Sequence, residues 1–216
     1  MKQIEPVMPE ELDIVLDGAE FLSKAAAEEE RIQDKMIRDA ASDGGMFLHL
    51  LVSAVKFENC RFWESSFERG GFTDVIFQSC DFSGCDWSGG YFERVHFTSC
   101  KGVGAKFSSV TMKNVTVKDC NLDYVNFDGA RLEKIVIEDT RLNSSNLTQC
   151  KCRQVTWKRA ELVNASFFKT SLRGMDFTDS IINGLVLSED NSELRGAVVD
   201  VFQAAELAKR MGLIIK

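Results

Sequence analysis

Proline and histidine are nearly absent from this chain, and it has no long apolar run. Among 216 residues there are two prolines, Pro6 and Pro9, and two histidines, His49 and His96. No run of 18 apolar residues exists, so no helix is expected to span a membrane. No CxxC occurs, and two distant histidines do not supply the four converging ligands of a zinc site. Neither a metal nor any other cofactor is expected. Glu5, Glu10, Glu11, Asp13 and Asp17 are unlike a secretory signal peptide. Without an export signal, an odd count of seven cysteines suits a reducing, cytoplasmic setting.

The acidity is confined to one end. Residues 1–45 hold 5 basic and 12 acidic side chains, whereas residues 46–216 hold 21 of each, so the whole net charge of −7 lies in the N-terminal segment.

What is abundant is a beat of five. From Val52 through Phe57, Phe62, Phe67, Phe72, Phe77, Phe82, Trp87, Phe92 and Phe97 to Leu187, 28 positions follow without a slip, and only Gly102 is not apolar. Twelve of the sixteen phenylalanines fall among these 28 positions. Two residues earlier runs a register of small residues, among them Val55, Cys60, Ser65, Gly70, Val75, Cys80 and Cys85. On an α-helix a step of five rotates the phase by about 140°, which scatters the aromatics. On a flat strand an odd step flips the face. A backbone that turns inward every five residues keeps all of them in one core, and that is a solenoid of stacked coils. Cys60, Cys80, Cys100 and Cys120 recur at twenty, so four fives close a coil and 28 fives make seven coils. At about 4.8 Å per coil the rod is roughly 34 Å long. Phe57, Phe77 and Phe97 then form one stack, and Phe67, Trp87, Phe107 and Phe127 another.

The segments CDFSG (Cys80–Gly84), CNLDY (Cys120–Tyr124), ARLEK (Ala130–Lys134) and AELVN (Ala160–Asn164) resemble the A-(D/N)-L-x-x consensus of the pentapeptide-repeat proteins. The resemblance implies an all-β solenoid, a right-handed quadrilateral β-helix with both registers inward. The tail from Leu194 is similar to the C-terminal cap of bacterial members, in which a short helix closes the coil and often pairs two chains. Length, repeat count and cap are also similar to those of the quinolone-resistance (Qnr) type, dimeric rods that imitate duplex DNA and bind DNA gyrase and topoisomerase IV. Mimicry of DNA needs dense negative charge along the rod, and this repeat body is neutral.

Three segments are expected: an acidic, mainly helical cap over 1–45, a β-helix over 46–190, and a capping helix with a terminal strand over 191–216. In the first, Leu12, Val15 and Leu16 suit one helical face and Ile32, Met36, Ile37 and Ala40 a second. Ile37 and Phe47 also keep the five-beat, which leaves the start of the repeats open between residues 36 and 50, with Gly44-Gly45 as an irregular turn. At the other end, Asp200 and Gln203 have capping-box spacing, and Gly212 is a natural helix stop. Val201, Phe202, Ala205, Leu207, Ala208, Met211, Leu213 and Ile215 are the candidate dimerisation residues.

The cysteines read as small buried packing residues. One coil apart, the column is close enough for a disulfide, but parallel side chains and a reducing compartment argue against bridging. GVGAK at Gly102–Lys106 lacks the phosphate-loop pattern. No catalytic constellation emerges, and an enzyme is not expected. One side of the rod carries Arg94, Lys113, Arg131, Lys134, Lys151, Arg153 and Arg173 against Asp74, Glu93 and Glu133, with partial pairing such as Arg131 to Glu133. This stripe suits an acidic protein or a nucleic acid. Trp63, Tyr91, Tyr124 and Phe168 fall off the core phase and are candidate contact anchors. The leading expectation is a non-catalytic interaction scaffold, homodimeric through its C-terminal cap. A gyrase-binding DNA mimic and a nucleic-acid binder are the alternatives.

Overall fold

The computed structural model describes residues 3–210 and 212–215. In chain order the elements begin with β1 (Asp13–Val15), α1 (Gly18–Ala27), β2 (Arg31–Gln33), β3 (Lys35–Arg38) and β4 (Ala41–Asp43). They continue with β5 (Leu51–Glu58), β6 (Arg61–Trp63), β7 (Gly71–Gln78), β8 (Tyr91–Thr98), β9 (Thr111–Lys118), β10 (Arg131–Glu138) and β11 (Lys151–Lys158). A 3₁₀ turn at Ser192–Leu194 and α2 (Val201–Arg210) complete the order. All strand pairing is parallel, with Leu51 opposite Gly71 and Gly71 opposite Tyr91, so each coil takes twenty residues. The result is a four-sided β-solenoid of about seven turns.

The four sides are not alike. The eight-residue strands cover the first two sides, residues 51–60 and their repeats, as one continuous sheet. The third and fourth sides meet the next coil mainly through single bridges such as Asp81 to Lys101 and Asp86 to Lys106. There the chain turns tightly, and the small-register N–H bonds back three residues, as Cys85 N does to Phe82 O at 3.1 Å and Gly90 N to Trp87 O at 3.1 Å. Each side also contributes one left-handed residue. Every fifth position from Glu29 through Gly174 has positive φ.

Both inward registers form one buried core. Phe57, Phe77 and Phe97 stack with centroids 4.8 and 4.9 Å apart and planes within 9°. Trp87 lies flat on Phe67 at 4.2 Å. Gly102, the one break in the beat, is required: a Cβ there would fall 2.2 Å from the Phe82 ring, which has taken that space.

On the second side no tight turn is available to the small-register N–H, and a side chain of the next coil accepts it instead. Cys100 N donates to Cys120 Sγ at 3.3 Å, Cys120 N to Thr140 Oγ1 at 3.2 Å, and Ala160 N to Ser180 Oγ at 3.2 Å. The thiols in turn donate to carbonyls of the coil below, as Cys60 Sγ does to Ile37 O at 3.4 Å. The column of Cys, Thr and Ser is therefore a hydrogen-bonding ladder as well as packing. No cysteine is bridged. Burial pushes the Cys85 thiol up to about 12, which suits an inert group.

The N-terminal segment departs from its mainly helical reading. Only Gly18–Ala27 is helical, capped by the Asp17 carboxylate on Glu20 N at 3.2 Å. Leu16 is exposed, so the expected Leu12–Val15–Leu16 face does not form. From Arg31 onward the five-beat prevails over the helical period, because Ile32 and Ile37 find Val52 and Phe57 as parallel partners one coil on. Coil pairing thus starts ahead of residue 46. Gly44, expected in an irregular turn, is an ordinary left-handed corner with φ +65. α1 closes the open end, burying Leu22 and Ala25. Gly18 permits this approach, since a Cβ would lie 2.6 Å from Ala40 Cβ.

Before α1 the chain runs outside the rod. Gln3 touches the coils of β9 and β10, Glu5 reaches His96 on β8, Val7 reaches Asp74 on β7, and β1 pairs with β3. This arm descends the corner between the first and second sides, covering about one coil for every two residues.

At the other end Glu193, 4% exposed, closes the last coil by accepting Lys169 N at 2.8 Å and Ser188 N at 3.1 Å. The capping box of α2 is reciprocal: Asp200 Oδ1 accepts Gln203 N at 2.8 Å and Gln203 Oε1 accepts Asp200 N at 3.0 Å. Leu213–Ile215, expected as a terminal strand, has no regular structure and joins no sheet among the described residues; its Leu213 N–H donates back to Ala208 O at 3.3 Å.

Candidate functional site

The side that carries the basic stripe is the first half of the long strands, where residues 71–74 repeat at 91, 111, 131, 151 and 171. Strand alternation points Phe92, Met112 and Leu132 inward and their flanking neighbours outward. The structure separates the seven cations into groups.

Lys113, Arg131, Lys151 and Arg153 surround a shallow cavity of about 200 Å³ floored by Met112 and Leu132, with Glu133 as its one acid. Arg153 approaches Glu133 at 3.6 Å and keeps 77% of its side chain in solvent. The expected Arg131–Glu133 pair is replaced by this coil-to-coil contact, in which residues twenty apart sit side by side on the ladder. The same rule gives Arg38–Glu58, Lys101–Asp81, Lys118–Glu138 and Arg159–Asp139. Arg131 and Lys151 form no ion pair among the described residues. Lys113 Nζ stands 5.9 Å above the Tyr91 ring.

Three of the expected cations lie outside this cluster. Arg94 is consumed by Asp74, which it grips at 2.6 and 2.7 Å, and by Glu93 at 3.2 Å. Burial alone would raise Asp74, but the Arg94 guanidinium and the Val7 N–H hold its carboxyl below the usual carboxylate range. Lys134 sits on the corner, where its carbonyl accepts from Gln3. Arg173 packs along the loop at Gly196, near the C-terminal cap.

The candidate anchors divide as well. Tyr124 is 65% and Trp63 44% exposed, both on the third side. Tyr91 and Phe168 are half-buried. Tyr91 donates to Glu93 at 2.7 Å, and burial together with that carboxylate raises its phenol to about 12.

The cap residues divide by helix face. Gln203 Nε2 donates to Phe177 O and Ser180 O, both at 2.8 Å, and Arg210 donates to Leu185 O and Leu187 O, both at 3.0 Å. Leu207 packs against the core between them. Leu207 therefore helps hold the helix to the rod, and Ala205 and Ala208 are half-buried. Val201, Phe202, Leu213, Ile214 and Ile215 remain exposed, with Phe202 at 79%. Ile14, Leu16, Met46, Leu51, Ile181, Val186 and Val198 are among the other apolar side chains left open along the rod and its ends. Met211 lies outside the described residues.

Sequence reasoning missed the N-terminal corner altogether. There the Gln3 amide bonds to Val115 O at 2.8 Å and Lys134 O at 3.1 Å while accepting from Thr116 Oγ1 at 2.9 Å. Glu5 Oε2 lies 2.8 Å from His96 Nε2. Burial lowers His96 below the ordinary imidazole range, and Glu5 opposes the shift. The clustering of both prolines at residues 6 and 9 was the available signal, marking a stretch fixed as extended.

A family model described as a pentapeptide repeat region matches residues 52–127 and again 90–167. Among solved structures, QnrB1, described as a plasmid-mediated fluoroquinolone resistance protein, is similar with a TM-score of 0.50 at 21% identity, covering 95% of this chain and 97% of its own. HetL, a pentapeptide repeat protein involved in heterocyst differentiation regulation from the cyanobacterium Nostoc sp. strain PCC 7120, gives 0.52 at 14% identity, covering 86% and 98%. At these identities the likeness is one of fold. No curated protein matches the sequence. No described helix is long and apolar enough to cross a membrane.

Proposed function

We propose, from the premise that this chain belongs to the pentapeptide-repeat family, that it is a non-catalytic, cytoplasmic interaction scaffold. Its partner surface is the patch of Lys113, Arg131, Lys151 and Arg153, and the partner is an acidic protein. The observation that carries the reading is four cations around one shallow apolar floor with a single carboxylate among them. Most other charges on the strand sides are matched coil to coil, and the inward side chains are sealed in the core. A shallow depression ringed by four cations and one carboxylate carries a net positive charge that recruits an anionic surface.

Binding of a labelled poly-glutamate peptide, followed by fluorescence anisotropy, tests this. The pair Lys151→Glu and Arg153→Glu should weaken it at least about tenfold, given 1.4 kcal/mol per decade and two lost charge contacts. Unchanged binding would remove the proposal. If a labelled DNA duplex binds more tightly than the peptide, with a steep salt slope, the nucleic-acid reading replaces it.

The scaffold is proposed to work as a homodimer joined at the C-terminal ends, supported by exposed Val201, Phe202, Leu213 and Ile214. Sedimentation velocity of Phe202→Glu with Ile214→Glu should then report a monomer. The second reading, a DNA mimic that binds gyrase or topoisomerase IV, is favoured by the extent of the match to QnrB1. Weighing against it are the neutral repeat body and its basic patch. A gyrase supercoiling assay with and without a fluoroquinolone separates the two: neither inhibition nor protection retires the mimic.

A further inference from the structure

The N-terminal arm is held by a set of contacts that reads specific chemistry. A glutamine amide has two donor hydrogens and one acceptor oxygen, and the corner satisfies all three: Val115 O and Lys134 O accept, and Thr116 Oγ1 donates. Two residues on, the Glu5 carboxylate meets His96 Nε2 at 2.8 Å. Two further on, the Val7 N–H meets Asp74 Oδ1 at 2.9 Å. The contacts descend one coil at a time, so the ligand must be extended and must cross the coils rather than lie along them. Pro6 and Pro9 enforce this, since neither offers an N–H for strand addition.

Apolar anchoring is slight. Gln3, Pro6 and Met8 are half-buried, while Ile4, Glu5, Val7 and Pro9 are exposed. A segment held by a few polar contacts and little buried area opens at low cost compared with the core. The corner also keeps an acceptor that the arm leaves unused: Asn114, 7% exposed, has its Oδ1 without a partner. A ligand that supplied a donor there would gain what the arm forgoes.

We propose that this corner, between the first and second sides from β7 to β10, is a binding site for an extended peptide of a partner protein that carries a glutamine and, two residues later, a carboxylate; residues 3–8 occupy the site as a resident, displaceable ligand. The site is distinct from the basic patch, so failure of either proposal leaves the other standing.

The probe is a fluorescein-labelled peptide of residues 3–12, titrated into the full-length chain and followed by anisotropy. The double variant Gln3→Ala with Glu5→Ala vacates the site while leaving its walls intact, and it should bind the peptide at least about tenfold more tightly than the parent. Adding Thr116→Val and His96→Ala to that variant should abolish the gain. Circular dichroism at β-helix strength in each variant ensures that loss of binding is not loss of fold. Equal binding by parent and vacated chains, binding of a scrambled peptide as tight as the probe, or binding indifferent to Thr116 and His96 would each overturn the proposal. An independent readout is amide exchange at Val7: protection that falls in the double variant supports the docked arm, and exchange at the free-peptide rate in the parent overturns it.

Discussion

The coils between Phe57 and Phe107 and those between Met112 and Cys152 share one backbone and fill it in different ways. In the first stretch nearly every large position is aromatic, and beside Val75 and Val95 the small register holds Gly70, Gly90, Ser65, Cys80 and Cys85. In the second the large positions are mostly Leu, Ile, Val and Met, and Ile135 appears in the small register. A coil encloses a fixed cross-section at native packing density, so larger rings require smaller partners. Gly102 is the extreme case, its side chain having been yielded to the Phe82 ring. A pentapeptide repeat thus constrains the volume of each coil more tightly than the identity of any one residue.

The largest effect should come from the centre of the aromatic stretch. Trp87→Ala removes a ring stacked on Phe67 at 4.2 Å and should cost about 3–5 kcal/mol in urea unfolding. Leu147→Ala, in the aliphatic stretch, should fall toward the lower part of the roughly 2–5 kcal/mol range, because no stacked ring is lost with it. Equal losses would mean that the two stretches are energetically alike.

Compensation can be tested at Gly102. Gly102→Ala should cost about 1–3 kcal/mol by overpacking against Phe82. Phe82→Leu in the same chain should recover more than half of that, and strict additivity in the double-mutant cycle would refute the shared-volume account.

A comparable loss is expected from Thr140→Val, which preserves shape but strands the Cys120 N–H that Thr140 Oγ1 accepts at 3.2 Å. The cost should be about 1–3 kcal/mol, the penalty for a buried donor without a partner. Val155→Thr, in a strand position whose backbone is already paired, should bring no gain.

The smallest effect concerns pH. Asp74 is held below its usual range in the folded chain, so its contribution to stability is present above the unfolded carboxylate value near 3.9 and is lost as pH falls through the lower folded value. Asp74→Asn should flatten that part of the stability profile below about pH 4. A profile unchanged by the substitution would show that the Arg94 and Val7 contacts add nothing.

Much of this was open to inspection in the residues themselves. A beat of five with charge excluded from it admits only a backbone that turns at each step, and the twenty-residue recurrence of Cys60, Cys80, Cys100 and Cys120 set the number of sides. A further signal went unused. From Ala54 to Gly174 the left-handed positions include no Val, Ile or Thr, because β-branched side chains are the least tolerant of positive φ. That avoidance locates every corner, and it separates Gly44 from an irregular turn.

Local chemistry repeated at short range therefore dictated the coil, its registers and the reciprocal capping of α2, since each depends on residues at most twenty apart. The placement of the arm and the division of α2 into held and open faces depend on contacts that carry no periodic mark. Gln3 finds Val115 and Glu5 finds His96 only once the rod exists to bring them together. Distance along the chain hides such partners, and folding alone supplies the third dimension in which they meet.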